Sequence, residues 1–114
     1  MYQYKAKLIR VVDGDTVDAM IDCGFSTFKK ERIRLYGIDA PESRTRNKAE
    51  KKRGLAAKAR LKELIKEGKN ELIVETSIDK KGKYGRILGT IMLPDRKVSL
   101  NQMLLDEGHA EVYQ

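Results

Sequence analysis

The chain is poor in the residues that build metal centres from sulfur or imidazole, and in those that break a chain into pieces. Its 114 residues hold one cysteine, one histidine and two prolines. A single thiol excludes an internal disulfide, and Cys23 reads as a small buried hydrophobe. His109 lies far from it in sequence, so nothing pairs the two as a nucleophile and its base. No run is apolar enough to span a bilayer, and Met1-Tyr-Gln-Tyr-Lys5 does not lead into the hydrophobic region of a signal peptide. That fits a cytoplasmic protein and equally the mature form of a secreted one, so location stays open. Internal repeats, low-complexity tracts and linkers are also missing. The length allows one domain with one core, assigned to residues 1–114.

What is present is charge. Apolar residues make up 40% of the chain and charged residues 36%, with a net charge of +7. A modest core under a basic surface suggests a polyanionic partner, although a well-solvated surface has the same composition.

Three strand-like runs come first: Lys5 to Val12, Thr16 to Asp22 and Phe28 to Ile38. The second alternates, with Val17, Ala19 and Ile21 on one face; in the third, Ile33 and Leu35 oppose Arg32 and Arg34. Asp13-Gly14 between the first two reads as a tight turn whose glycine accepts positive φ. Residues Ser43 to Arg53 are rich in Arg and Lys and read as a mobile basic loop. A helix is predicted from about Leu55 to Lys66, with Ala57, Leu61, Leu64 and Ile65 as its apolar stripe and Gly68 as its stop. Gly54 argues against an earlier start. Strands over 71–76 and 86–93 follow. Ser99 and Gln102 then form a capping box for a short helix with Leu100, Met103 and Leu104 inward. The order β-β-β-α-β-β-α predicts an α+β, mainly β fold: a five-stranded Greek-key barrel of the oligonucleotide/oligosaccharide-binding (OB) type, with two helices packed on it.

Arg34-Leu-Tyr-Gly-Ile-Asp39-Ala-Pro-Glu42 sets a guanidinium and two carboxylates at a strand end. Two carboxylates about 4 Å apart repel by roughly 4 kcal/mol at an effective dielectric near 20, so Asp15 and Asp39 sharing a cleft would recruit a hard cation. Oxygen ligands without His or Cys point to Ca²⁺, Mg²⁺ or Mn²⁺ rather than zinc. Glu42 follows Pro41 on a stiff segment, which suits a base that must hold water in line with phosphorus. Arg34 and Arg86 offer planar forks for the negative charge that builds on phosphoryl oxygens. Lys83 and Tyr84 could take a terminal phosphate and a sugar or base, and Tyr113 could add an aromatic face. Taken singly, each has an ordinary structural reading as a hairpin turn, a surface carboxylate or a solvated arginine.

Together, the Asp13-Gly-Asp-Thr16 turn, the Arg34–Glu42 run and Lys83-Tyr-Gly-Arg86 resemble the staphylococcal nuclease (thermonuclease) family over nearly the whole chain. The resemblance implies an OB barrel and calcium-dependent cleavage of single-stranded DNA, duplex DNA and RNA, leaving 3′-phosphate ends. It further implies one Ca²⁺ held by Asp15, Asp39 and the Ala40 carbonyl, with Glu42 activating water. Arg34 and Arg86 would bind and stabilise the phosphate, while Lys83 and Tyr84 would contact the nucleotide. Ala40 stands where secreted members commonly carry threonine. Longer members continue past the position of Gln114 into another helix, which leaves Tyr113 the loosest of the matches. Nucleic acid is the expected partner of a monomer without a membrane. The rivals are an inactive OB module that binds nucleic acid or protein, and a basic structural domain. Neither needs Asp15, Asp39 and Glu42 together.

Overall fold

The computed structural model describes residues 2–81 and 87–113. Alternating apolar residues make the strands β1 (Gln3–Asp13), β2 (Thr16–Asp22) and β3 (Phe28–Leu35), followed by the short β4 (Ile38–Asp39). Helix α1 (Lys48–Glu67) leads to β5 (Glu71–Lys81), β6 (Ile87–Met92), α2 (Leu100–Asp106) and the short β7 (Glu111–Val112). Five strands close a barrel in the order β1-β2-β3-β6-β5, with β3 and β6 parallel and the other neighbours antiparallel. This is the expected mainly β barrel with two helices. Two strands were not foreseen: β4 and β7 pair as a separate two-stranded ribbon, because the third run breaks at Tyr36-Gly37 instead of continuing to Ile38.

The barrel interior is filled by the inward positions the alternation marks, including Val17, Ala19, Ile33, Leu35, Val74 and Ile91. Ala57, Leu61, Leu64 and Ile65 of α1 are fully buried, as their spacing predicts. Two β-bulges bend β1, one between Leu8 and Arg10 and one between Val11 and Asp13, where the strand meets the turn into β2.

Five local expectations need correction. Helix α1 starts at Lys48, seven residues before the predicted start, so half of the basic stretch is helix instead of loop. Asn47 caps it by accepting from the Glu50 N–H at 3.0 Å. Gly54 does not break the helix; it lets α1 lie against the 42–43 backbone, where a Cβ would collide with the Glu42 carbonyl oxygen. Gly14 likewise serves close approach and not positive φ, since a Cβ there would stand 2.6 Å from that of Ala57 and 3.0 Å from that of Ala40. Cys23 is exposed near the β2–β3 tip and not buried. At α2, Ser99 accepts from the Gln102 N–H at 3.1 Å, but the Gln102 side chain donates to Asp106 and does not accept from the Ser99 N–H, so half of the capping box forms.

Candidate active site

The β1–β2 turn, the end of β3 and the β4 ribbon converge on one side of the barrel. Thr16 stands opposite Arg34, and the Leu35 N–H donates to the Asp15 carbonyl at 2.8 Å, so Asp15 and Arg34 are brought together by the strand ladder itself. Arg34 donates through Nη1 to Asp15 Oδ2 at 3.1 Å, and through Nη2 to Asp39 Oδ1 and the Ile38 carbonyl, both at 3.2 Å. One planar guanidinium therefore fixes the distance between two carboxylates. Its Nε and one Nη1 hydrogen keep no partner among the described residues.

The two carboxylates differ in burial. Asp15 is 5% exposed and also accepts from the Ala40 N–H at 2.9 Å and the Thr16 hydroxyl at 2.9 Å. The Asp39 side chain is 57% exposed and accepts from Arg34 alone among the described side chains. Burial by itself would push the Arg34 guanidinium down, but the charges of Asp15 and Asp39 outweigh it and hold it above the ordinary arginine range. Its carbon lies 5.2 Å from the centre of the Tyr113 ring, within cation–π reach. Tyr113 is placed there by its N–H, which donates to the Gly37 carbonyl at 2.8 Å where β7 pairs with β4.

Glu42 is held in a different way. The residues on either side are tied down, Ala40 to Asp15 as above and Ser43 to Asp13, which accepts from both the Ser43 hydroxyl and its N–H. The Glu42 N–H donates to Glu50 at 3.3 Å, and the side chain is left exposed. A fixed backbone thus carries an exposed carboxylate, with no side-chain partner among the described residues. It lines a cleft of about 360 Å³ shared with Asp39, Ala40, Arg53, His109 and Glu111.

The structure therefore gathers Asp15, Arg34, Asp39 and Ala40 in one hydrogen-bonded cluster, with the Tyr113 ring against Arg34 and Glu42 in the adjoining cleft. Lys83, Tyr84 and Arg86 lie outside the described residues. Sequence reasoning missed Arg53 and His109 in the cleft. Arg53 was assigned to a loop, and no periodicity links His109 to Glu42. Also missed was a second ion cluster on the barrel, in which Arg10 and Arg32 flank a buried Asp18. Hydrogen bonds from Arg32 lower the Asp18 carboxyl to about 2, with Arg10 adding to the effect against the cost of burial.

The donor set suits a hard cation. Asp15 and Asp39 supply oxygens only, Asp39 retains most of its lone pairs, and one guanidinium does not neutralise the two carboxylates. Among the described residues no third acidic, His or Cys side chain joins them, so further ligands would be backbone carbonyls and water.

Comparisons with known proteins place the chain in a family. The sequence profile described as Staphylococcal nuclease homologue matches residues 32–114. Hydrogen bonds to Arg34 and Ala40 tie Asp15 into that matched part. Endonuclease YncB of Bacillus subtilis is 33% identical over 105 residues, which are 92% of this chain and 46% of that protein. An uncharacterized endonuclease of Escherichia coli is 34% identical over 108 residues, 95% of this chain and 60% of its own length. Uncharacterized protein MJ1439 of Methanocaldococcus jannaschii is 31% identical over 128 residues, 96% of this chain and 59% of its length. The chain thus spans about half the length of the curated relatives it matches. With a matching profile, an OB-like barrel and relatives above 30% identity, the chain belongs to the staphylococcal nuclease homologue family.

Proposed function

We propose that this chain is a single nuclease domain that hydrolyses phosphodiester bonds of DNA and RNA with little sequence specificity, depends on one Ca²⁺, leaves 3′-phosphate ends and acts as a monomer. The observation that carries this reading is Arg34 clamped between Asp15 and Asp39 beside an exposed Glu42 on a fixed backbone. Family membership and the endonuclease names of two relatives support it.

Asp15, Asp39 and the Ala40 carbonyl would hold the ion; when bound, it supplies polarisation of a phosphoryl oxygen and lowers the pKa of bound water. The chain's own residues do the rest. Glu42 takes a proton from the attacking water, contributing roughly 10²–10⁴ in rate. Arg34 directs its uncommitted N–H groups at the phosphoryl oxygens, and its carboxylate partners keep it from swinging away. Arg86 is the second charge-stabilising donor, and Lys83 and Tyr84 contact the nucleotide. Tyr113, 58% exposed, offers a ring to a base. Arginine keeps its protons to a pKa above about 12, so the 5′-oxygen leaving group takes its proton from water.

The test is to incubate the purified protein with single-stranded DNA, duplex DNA and RNA, in Ca²⁺ and in chelator, and to identify the new ends by their sensitivity to a 3′-phosphatase. Cleavage in Ca²⁺ alone, with phosphatase-sensitive ends, is expected. Full activity in excess chelator removes the metal, and no cleavage in either condition removes the enzyme.

A further inference from the structure

We propose that the outer face of the β1–β2–β3 sheet carries a single nucleic-acid strand away from the active site, with Arg10 and Arg32, spread on the buried Asp18 carboxylate, as a subsite for the phosphate next to the one at Arg34. The proposal rests on the nuclease reading and adds residues to it.

Strand register sets the spacing. Thr16 stands opposite Arg34, and Asp18 stands opposite Arg32 on one side and Arg10 on the other. Residues two apart on a strand share a face and lie about 7 Å from each other. Arg32 is therefore one such step from Arg34, on the same side of the sheet, a step comparable to that between neighbouring phosphates of an extended strand. One step further, Met20 stands between Lys7 and Lys30, and beyond it Asp22 pairs with Phe28.

The Asp18 side chain, 6% exposed, accepts from Arg10 Nε at 2.8 Å, Arg32 Nε at 2.8 Å and Arg32 Nη2 at 3.2 Å. The arginine side chains stay 57% and 43% exposed. Among the described residues, two guanidiniums on one carboxylate leave a positive charge uncompensated, with both forks oriented and N–H groups without a partner that could meet an anion.

The face ends at a groove of about 450 Å³ whose lining includes the apolar Met20, Phe28 and Leu72, the cationic Lys5 and Lys7, and the acidic Asp22 and Glu71. Phe28 is 60% exposed and Met20 38%. Apolar surface between cations is what an unstacked base and its phosphates require, so the occupant is a single strand and not a duplex.

The test compares fluorescent oligothymidylates of two and eight nucleotides, bound in Ca²⁺ by protein carrying Glu42→Gln to suppress cleavage. Arg10→Gln/Asp18→Asn/Arg32→Gln keeps hydrogen-bonding groups at all three positions and changes net charge by one. Lys62→Gln, on the exposed side of α1, matches that charge change. The triple variant should lose about tenfold or more in affinity for eight nucleotides relative to two, and its log–log salt slope should fall by about 0.7. Lys62→Gln should do neither. Lys7→Gln/Lys30→Gln, at two exposed positions, repeats the test without disturbing Asp18 and should also erode the length preference. Equal losses for both lengths, or none, overturn the subsite. Failure of the nuclease reading looks different, since the unsubstituted protein would then cleave neither oligonucleotide, whatever the length dependence of binding.

Discussion

Gly54 of α1 lies so close to Glu42 that a Cβ would overlap the Glu42 carbonyl oxygen and stand 2.7 Å from the Ser43 nitrogen. The position of the proposed base is thus set by a residue with no side chain, twelve positions further along the chain. Gly54→Ala gains about 1 kcal/mol of helix propensity, but the backbone it meets cannot rotate out of the way. Net destabilisation of about 1–3 kcal/mol is expected, read by urea unfolding. Cleavage should fall further than the folded fraction does, because the 42–43 backbone must shift. A variant of wild-type stability and rate would show that this contact does not hold the site.

Glu42→Gln separates chemistry from binding. The side chain is exposed, so stability should stay within about 0.5 kcal/mol of the parent. The turnover number should drop by roughly 10²–10⁴ while oligonucleotide affinity barely changes. Single-turnover kinetics beside equilibrium binding would check both, and an unimpaired rate would remove Glu42 from its role.

Arg34→Lys keeps one positive charge but loses the fork that reaches Asp15 and Asp39 together. Asp15 is 5% exposed, so a weakened partner leaves part of a buried charge unanswered, at a cost of about 1–3 kcal/mol. Activity should fall at least a hundredfold by the measure of one lost transition-state donor, ~10²–10³. Thermal melts and kcat measured together would show whether the two losses travel together.

Acid sensitivity should come in part from Asp18. Its carboxyl is lowered from 3.8 to about 2 by the arginine hydrogen bonds. A lowered acid stabilises the fold above its unfolded value, and that contribution disappears as pH falls through the folded one. Stability should therefore decline between about pH 4 and pH 2 by at most about 2 kcal/mol from this group, less after screening at the half-exposed arginines. Urea midpoints across that range should be flatter in Asp18→Asn.

Much of this fold could be read from the residues because the barrel strands alternate and the α1 stripe falls on one side. Inward positions such as Val17, Ile33 and Leu61 are fully buried where pattern put them. The cluster at Asp15, Arg34 and Asp39 was legible for a different reason: the Asp13–Thr16 turn and the Arg34–Glu42 run resemble the staphylococcal nuclease family, and that resemblance puts their carboxylates and guanidinium in one site. What stayed hidden depends on contacts distant in sequence. The start of α1 carries charged residues without an apolar stripe, so nothing periodic announces it. Buried Asn101 donates to the Tyr36 and Gly89 carbonyls and accepts from the Ile91 N–H, bonding that no local pattern could foretell. Asp18 looked like the polar half of an alternating strand, and only the register revealed its two arginines.

The β4–β7 ribbon has two residues on each side, Ile38 with Val112 and Asp39 with Glu111, against strands of up to eleven residues in the barrel. So short a pairing, with both β7 residues exposed, should fray well before the barrel opens. Yet it carries Asp39 and seats Tyr113 against Arg34. On warming, amide exchange at Glu111–Tyr113 and loss of cleavage should precede any change in barrel circular dichroism. The site should then have a melting point of its own, lower than that of the scaffold that bears it.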